Sequence, residues 1–113
     1  MRVTSGLWVA AYVRRCHREG AFAVVVRRGA EEAGAITVTV DRLDGTSDLY
    51  LPAPQSVFDE GQPEARLFLR VLERAGGDDI AARLAAERKF DPDIWIVTVE
   101  DREGRSFLEL AAS

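Results

Sequence analysis

The side chains best equipped for chemistry are arginines. Arg14, Arg15 and Arg18 close one apolar stretch near the N-terminus, and Arg27 and Arg28 close the next. A guanidinium carries a planar fork of donors that suits phosphate or carboxylate. Glu31 and Glu32 follow closely enough to pair with that second arginine cluster. Trp95, Phe22 and Tyr50 could supply the stacking surfaces that single-strand binders use, although all three sit in strand patterns, where core packing is the commoner fate. The candidate binding residues are therefore Arg14, Arg15, Arg27, Arg28, Glu31 and Glu32.

Other chemistries find less support. Cys16 and His17 are the only cysteine and histidine, and adjacent positions on a helix diverge. A zinc site needs about four ligands, and a Cys–His nucleophile needs the pair face to face. Cys16 reads as a small core side chain and His17 as a surface one. Asp41, Asp44 and Asp48 flank one predicted hairpin, and Glu100, Asp101 and Glu103 flank another. Their spacing matches no calcium loop, and aspartate at a turn usually bonds its own backbone. No two acids can be placed across a cleft, so acid–base catalysis has no carrier. The glycines fit no phosphate-cradling pattern. No metal and no cofactor is expected, and the reading leans away from an enzyme.

The elements that must position these residues centre on Gly20–Asp41. Ile36–Val40 alternates aliphatic and threonine, as a strand with one apolar face does. Ala21–Val26 is apolar throughout, as a strand covered on both faces is. The two are read as a central hairpin, with Gly29 and Gly34 in the connection as natural positions for positive φ. Before it, Trp8, Val9, Tyr12, Val13 and Cys16 form the stripe of a helix over Leu7–Glu19, capped by Ser5 and stopped by Gly20. After it, Asp44-Gly45 signals a type I′ hairpin into a third strand, Thr46–Leu51. The Ala53–Pro63 loop is expected to be pinned by Val57 and Phe58. Asp78 can cap a second helix, Asp79–Lys89, with Ile80, Ala81 and Leu84 inward. Ile94–Glu100 and Arg105–Leu110 read as the last two strands. Residues 64–75 stay open: Leu67, Phe68, Val71, Leu72 and Ala75 fit a helical stripe, but a period-two reading also exists.

With 113 residues the chain is expected to form a single domain over 1–113. Hydrophobic residues make up 47% and charged ones 30%, an ordinary globular balance. No apolar run reaches the ~20 residues of a bilayer span, and no secretory signal is recognisable, so a cytoplasmic location without membrane contact is expected. The net charge is −4, which disfavours indiscriminate nucleic-acid binding. Residues up to Arg42 nevertheless balance at +3 and the remainder at −7, so a basic patch for an anionic partner is conceivable.

The segments GAFAVVVRRGAEEAGAI, DRLDGTSDLYLPAPQS and FDPDIWIVTVEDREGRSFLEL, with WVAAYVRRC before them, resemble a family of short bacterial proteins known only as a domain of unknown function. The match runs over nearly the whole chain. It implies that Arg66–Glu73 is extended, which tips the open segment towards a strand, and that RRGAEEAG forms an exposed functional end. No activity, cofactor or catalytic residue comes with it. The expected fold is α+β, a mostly antiparallel five- or six-stranded sheet with two helices in the order α-β-β-β-(β)-α-β-β. The expected function is a small non-catalytic binding or accessory domain, dimerising through an exposed edge such as Ser106–Leu110. The alternatives are an RNA or phosphate-ligand binder using the arginines, and a metal-dependent hydrolase using the turn acids. A nucleic acid is the less favoured partner.

Overall fold

The computed structural model describes residues 3–54 and 66–111. The first helix, α1, spans Ser5–Arg18. Its stripe is the one the sequence predicts: Val9, Tyr12 and Cys16 are buried. Thr4, one residue earlier than expected, is the N-cap, its hydroxyl accepting from the Leu7 N–H at 3.2 Å. Gly20, at φ 91°, ends the helix in the left-handed region that glycine enters freely.

Five strands follow: β1 (Phe22–Arg27), β2 (Ile36–Asp41), β3 (Ser47–Pro52), β4 (Phe68–Ala75) and β5 (Trp95–Glu100). The second helix, α2, lies between β4 and β5 at Gly77–Phe90. It is capped by Gly76 rather than Asp78, and Ile80 is buried on it whereas Ala81 is exposed. The fold is α+β, and the sheet is mixed, with the order β1-β5-β2-β3-β4.

That order corrects the central hairpin. β1 and β2 do not touch as partners, because β5 runs between them. It pairs antiparallel with β1 (Phe22↔Glu100, Val24↔Thr98) and parallel with β2 (Ile36↔Trp95 through Asp41↔Glu100). β1 is therefore an edge strand, not one covered on both faces. Ala23 is buried beneath α1, but Phe22, Val24 and Val26 are exposed. β2 is the strand dry on both faces, its threonines included: Thr37 donates to the Trp95 carbonyl at 2.8 Å. Local alternation misassigned the two strands because it carries no information about which long-range partner arrives.

The β2–β3 hairpin is as expected, but its left-handed positions are Leu43 and Gly45. Asp44 accepts from both the N–H and the hydroxyl of Thr46. Gly29 and Gly34 do not adopt positive φ. Each is instead pressed against the Asp93 carbonyl, where a Cβ would collide. Residues 68–75 form a strand, paired with β3 through Pro52↔Phe68 and Leu49↔Leu72.

Arg105–Leu110 is not a strand. Phe107, at φ 57°, turns the chain, which rejoins the sheet only at a parallel bridge between Phe68 and Leu110. The Phe68 N–H donates to Glu109 and the Ala111 N–H to Phe68, so this segment partly covers the β4 edge instead of offering one. The proposed pinning by Val57 and Phe58 lies outside the described residues.

A helix lies on each side of the sheet. Under α1, Val9, Tyr12 and Cys16 meet Ala23, Val38, Val40, Val97 and Val99. On the opposite face α2 covers β3 and β4, with Ile80 against Leu49 and Leu51. Among the described residues, none of α2 covers β1 on that second face, where Phe22 and Val24 are exposed.

Candidate functional site

The arginine and glutamate candidates do not converge. Arg28–Glu32 wraps the start of α1: the Ser5 N–H donates to the Glu32 carbonyl at 3.1 Å and the Gly6 N–H to the Glu31 carbonyl at 3.0 Å. The buried Ser5 hydroxyl donates to the Gly34 carbonyl at 2.6 Å. Together with Thr4, these bonds satisfy the N–H groups that a helix start leaves orphaned. Glu31 also sets its carboxylate against Gly6, where the helix dipole favours negative charge. Arg28 reaches Glu31 at 3.2 Å and lies 5.0 Å over the Trp95 ring. The expected functional end is thus a capping structure around α1.

Arg27 belongs to the other face. A bulge between Val25 and Arg27 sends Val26 and Arg27 to the α2 side. There Arg27 donates to the Ile94 carbonyl at 2.7 Å and lines a shallow hollow with Arg88 and Lys89 of α2. Tyr50 and Trp95 are core side chains, as their strand patterns suggested, whereas Phe22 is exposed.

The turn acids do meet, since the Asp101 N–H donates to the Asp41 carbonyl at 3.0 Å. The carboxylates of Asp48, Asp101 and Glu103, however, are committed to arginine. Asp101 takes a bidentate pair from Arg105 at 2.7 and 3.1 Å, and that pair holds its carboxyl below the usual carboxylate range. Asp48 is wholly buried. Burial works to raise its pKa, but hydrogen bonds from Arg42 (2.6 Å) and the Arg74 N–H (2.8 Å) outweigh it and hold the group low. Among the described residues no three His, Cys, Asp or Glu side chains are grouped to hold a metal.

Among the described residues, a cleft of about 430 Å³ lies between α1 and the C-terminal segment. Its apolar wall is Trp8 and Tyr12, stacked with centroids 5.0 Å apart, together with Phe107. Tyr12 is fixed by donating its hydroxyl to the Ser106 carbonyl at 2.6 Å, and burial keeps that phenol protonated far above its ordinary pKa. Arg15 and Arg18 project from the next turns of α1. Arg66 enters from the opposite side, donating to the Val3 carbonyl at 2.9 Å, and Glu109 stands on the rim. Of the six candidate binding residues only Arg15 lies here, joined by Arg18 of the same predicted cluster; Arg14 does not line the cleft.

The profile described as a protein of unknown function (DUF1491) matches residues 3–109. The chain belongs to the DUF1491 family. A solution structure of protein Atu0922 from A. tumefaciens is 42% identical, covering 100% of this chain and 98% of that one, with a TM-score of 0.85. A crystal structure of a DUF1491 protein from Caulobacter crescentus CB15 is 37% identical over 100% of both chains, with a TM-score of 0.79. Among curated proteins none matches. The resemblance to a family of unknown function is thereby shown, and DUF1491 brings no assigned function to the chain.

What the cleft of this DUF1491 protein can do follows from its lining. Cationic forks beside aromatic faces bind an anion that carries a flat apolar body. The sequence held a signal for it: Trp8, Tyr12, Arg15 and Arg18 recur at three- and four-residue steps, so one helical flank bears aromatics and then arginines. The contributions of Arg66 and Phe107 come from chain folded back from far away, and no local pattern marks them.

Proposed function

We propose that the chain is a non-catalytic binding domain whose cleft takes a small anionic ligand, a phosphomonoester on a planar ring. One observation carries this reading. Arg15 and Arg18 lie one helical turn apart beside the Trp8–Tyr12 stack, and neither forms an ion pair among the described residues. The volume suits a ligand of that size, since small-molecule sites occupy roughly 300–1,000 Å³. Tyr12, locked in its hydrogen bond, serves as floor and not as a proton carrier.

Calorimetric titration with adenosine monophosphate and with pyrophosphate, at about 50 and 200 mM salt, tests it. Binding should weaken as salt rises, should favour the ring-bearing phosphate, and should vanish in an Arg15→Ala/Arg18→Ala variant of unchanged melting temperature. Undetectable binding of both probes sinks the reading, as does binding that ignores the double variant. Binding of a single-stranded oligonucleotide alone would transfer the site to nucleic acid.

A further inference from the structure

The β1 margin of the sheet's α2 side carries a row of exposed apolar side chains. Phe22, Val24 and Val26 of β1 are 54%, 43% and 62% exposed. A single exposed aliphatic is ordinary, but a row along one strand face is a contiguous patch. Its two ends differ in charge. Beside Phe22, on the same face, stand Glu100 and Asp41, since directly opposed strand residues share a face. At the Val26 end stand Arg27, Arg88 and Lys89.

The start of the β1 backbone edge, by contrast, is closed. The Ala21 N–H donates to the Cys16 carbonyl at 3.0 Å, and the Ala23 N–H donates to Nε2 of His17 at 3.1 Å. The His17 ring also stacks on Phe22, centroids 5.8 Å apart. A partner strand would have to displace both, so the edge is blunted as native edges usually are.

We propose that two copies of this chain pack face to face through the β1 row, related by a two-fold axis that lies in the interface and crosses the strands at right angles. Charge complementarity selects a second copy as the occupant. That axis reverses the strip, so the Arg27–Arg88–Lys89 end of each copy lies over the Glu100–Asp41 end of the other. The apolar row, acidic at one end and basic at the other, is complementary to itself in this orientation alone. Keeping the strands in the same direction would stack like charges.

Equilibrium sedimentation of the full chain tests the arrangement. The native protein should dimerise with concentration, and Val24→Glu should weaken the dimer at least ten-fold. Arg88→Glu and Glu100→Arg should each weaken it several-fold, and the double variant should regain most of the loss, because reversing both ends restores the match. This rescue keeps the test independent of any folding defect in Val24→Glu. His17→Ala should leave association unchanged. A native chain that stays monomeric to about 1 mM, no rescue in the charge-reversed double variant, or stronger association in His17→Ala would each overturn the face-to-face dimer, the last in favour of edge pairing.

Discussion

Arg42 is the arginine on which the fold depends most. It is only 9% exposed, pairs with a fully buried Asp48 through two hydrogen bonds, and sets its guanidinium in the space a Cβ on Gly104 (φ 73°) would need. Asp48 in turn anchors Arg74, which holds a left-handed conformation in β4. Removing one member of a buried pair strands the other's charge, at a cost of roughly 3–5 kcal/mol. Arg42→Ala should therefore be among the most destabilising single changes, measured by urea unfolding. The pH dependence has a definite sign. Asp48 and Asp101 have folded pKa values below their unfolded ones. Their stabilisation is complete above about pH 5 and is lost as pH falls below about 4. Asp48→Asn should unfold more readily at neutral pH while flattening that acid slope; an unchanged slope would assign the acid sensitivity elsewhere. Arg42 stands beside a turn, where charge usually faces water, and nothing local in the sequence shows that Asp48 points inward.

The segment between β1 and β2 shows how an element can be recognised while its structural role goes unread. Its paired charges and glycines were legible as a wide connection, and the α1 stripe and the Gly20 stop were read correctly to the residue. What could not be read was that the connection caps α1 and that the chain before β5 lies against it. Gly29 and Gly34 are glycines because the Asp93 carbonyl passes beside them, not because their φ is positive. Gly29→Ala should accordingly act as an overpacking mutation, with a loss of roughly 1–3 kcal/mol in the melting transition. Gly76→Ala, where a Cβ meets open space, is the matched control and should cost much less. Equal losses at the two positions would mean that backbone entropy, not the close approach at Gly29, sets the requirement.

The sheet order makes the late part of the chain indispensable to the early part. β5 is made last, yet it lies between β1 and β2, so neither of those strands has its central neighbour until residues 95–100 arrive. A hairpin can be read from adjacent segments and a turn, and β2–β3 was. A parallel pair joined across some fifty residues leaves no such signature. Ile94, Trp95, Ile96, Val97 and Val99 are all buried, and burying such side chains contributes about 2 kcal/mol each. That sum, ~10 kcal/mol, is comparable to the whole stability of a chain this size. A fragment ending at Phe90 keeps α1, α2 and β1 to β4, but β1 then lacks the strand it pairs with and α1 packs over a split sheet. It should lack a cooperative thermal transition and give a collapsed amide spectrum. Adding a peptide of residues 91–113 in excess should restore dispersion, with Val38 and Val97 the slowest amides to exchange. A fragment that melts cooperatively by itself would show that β2, β3 and β4 form a self-sufficient unit to which β5 is merely added.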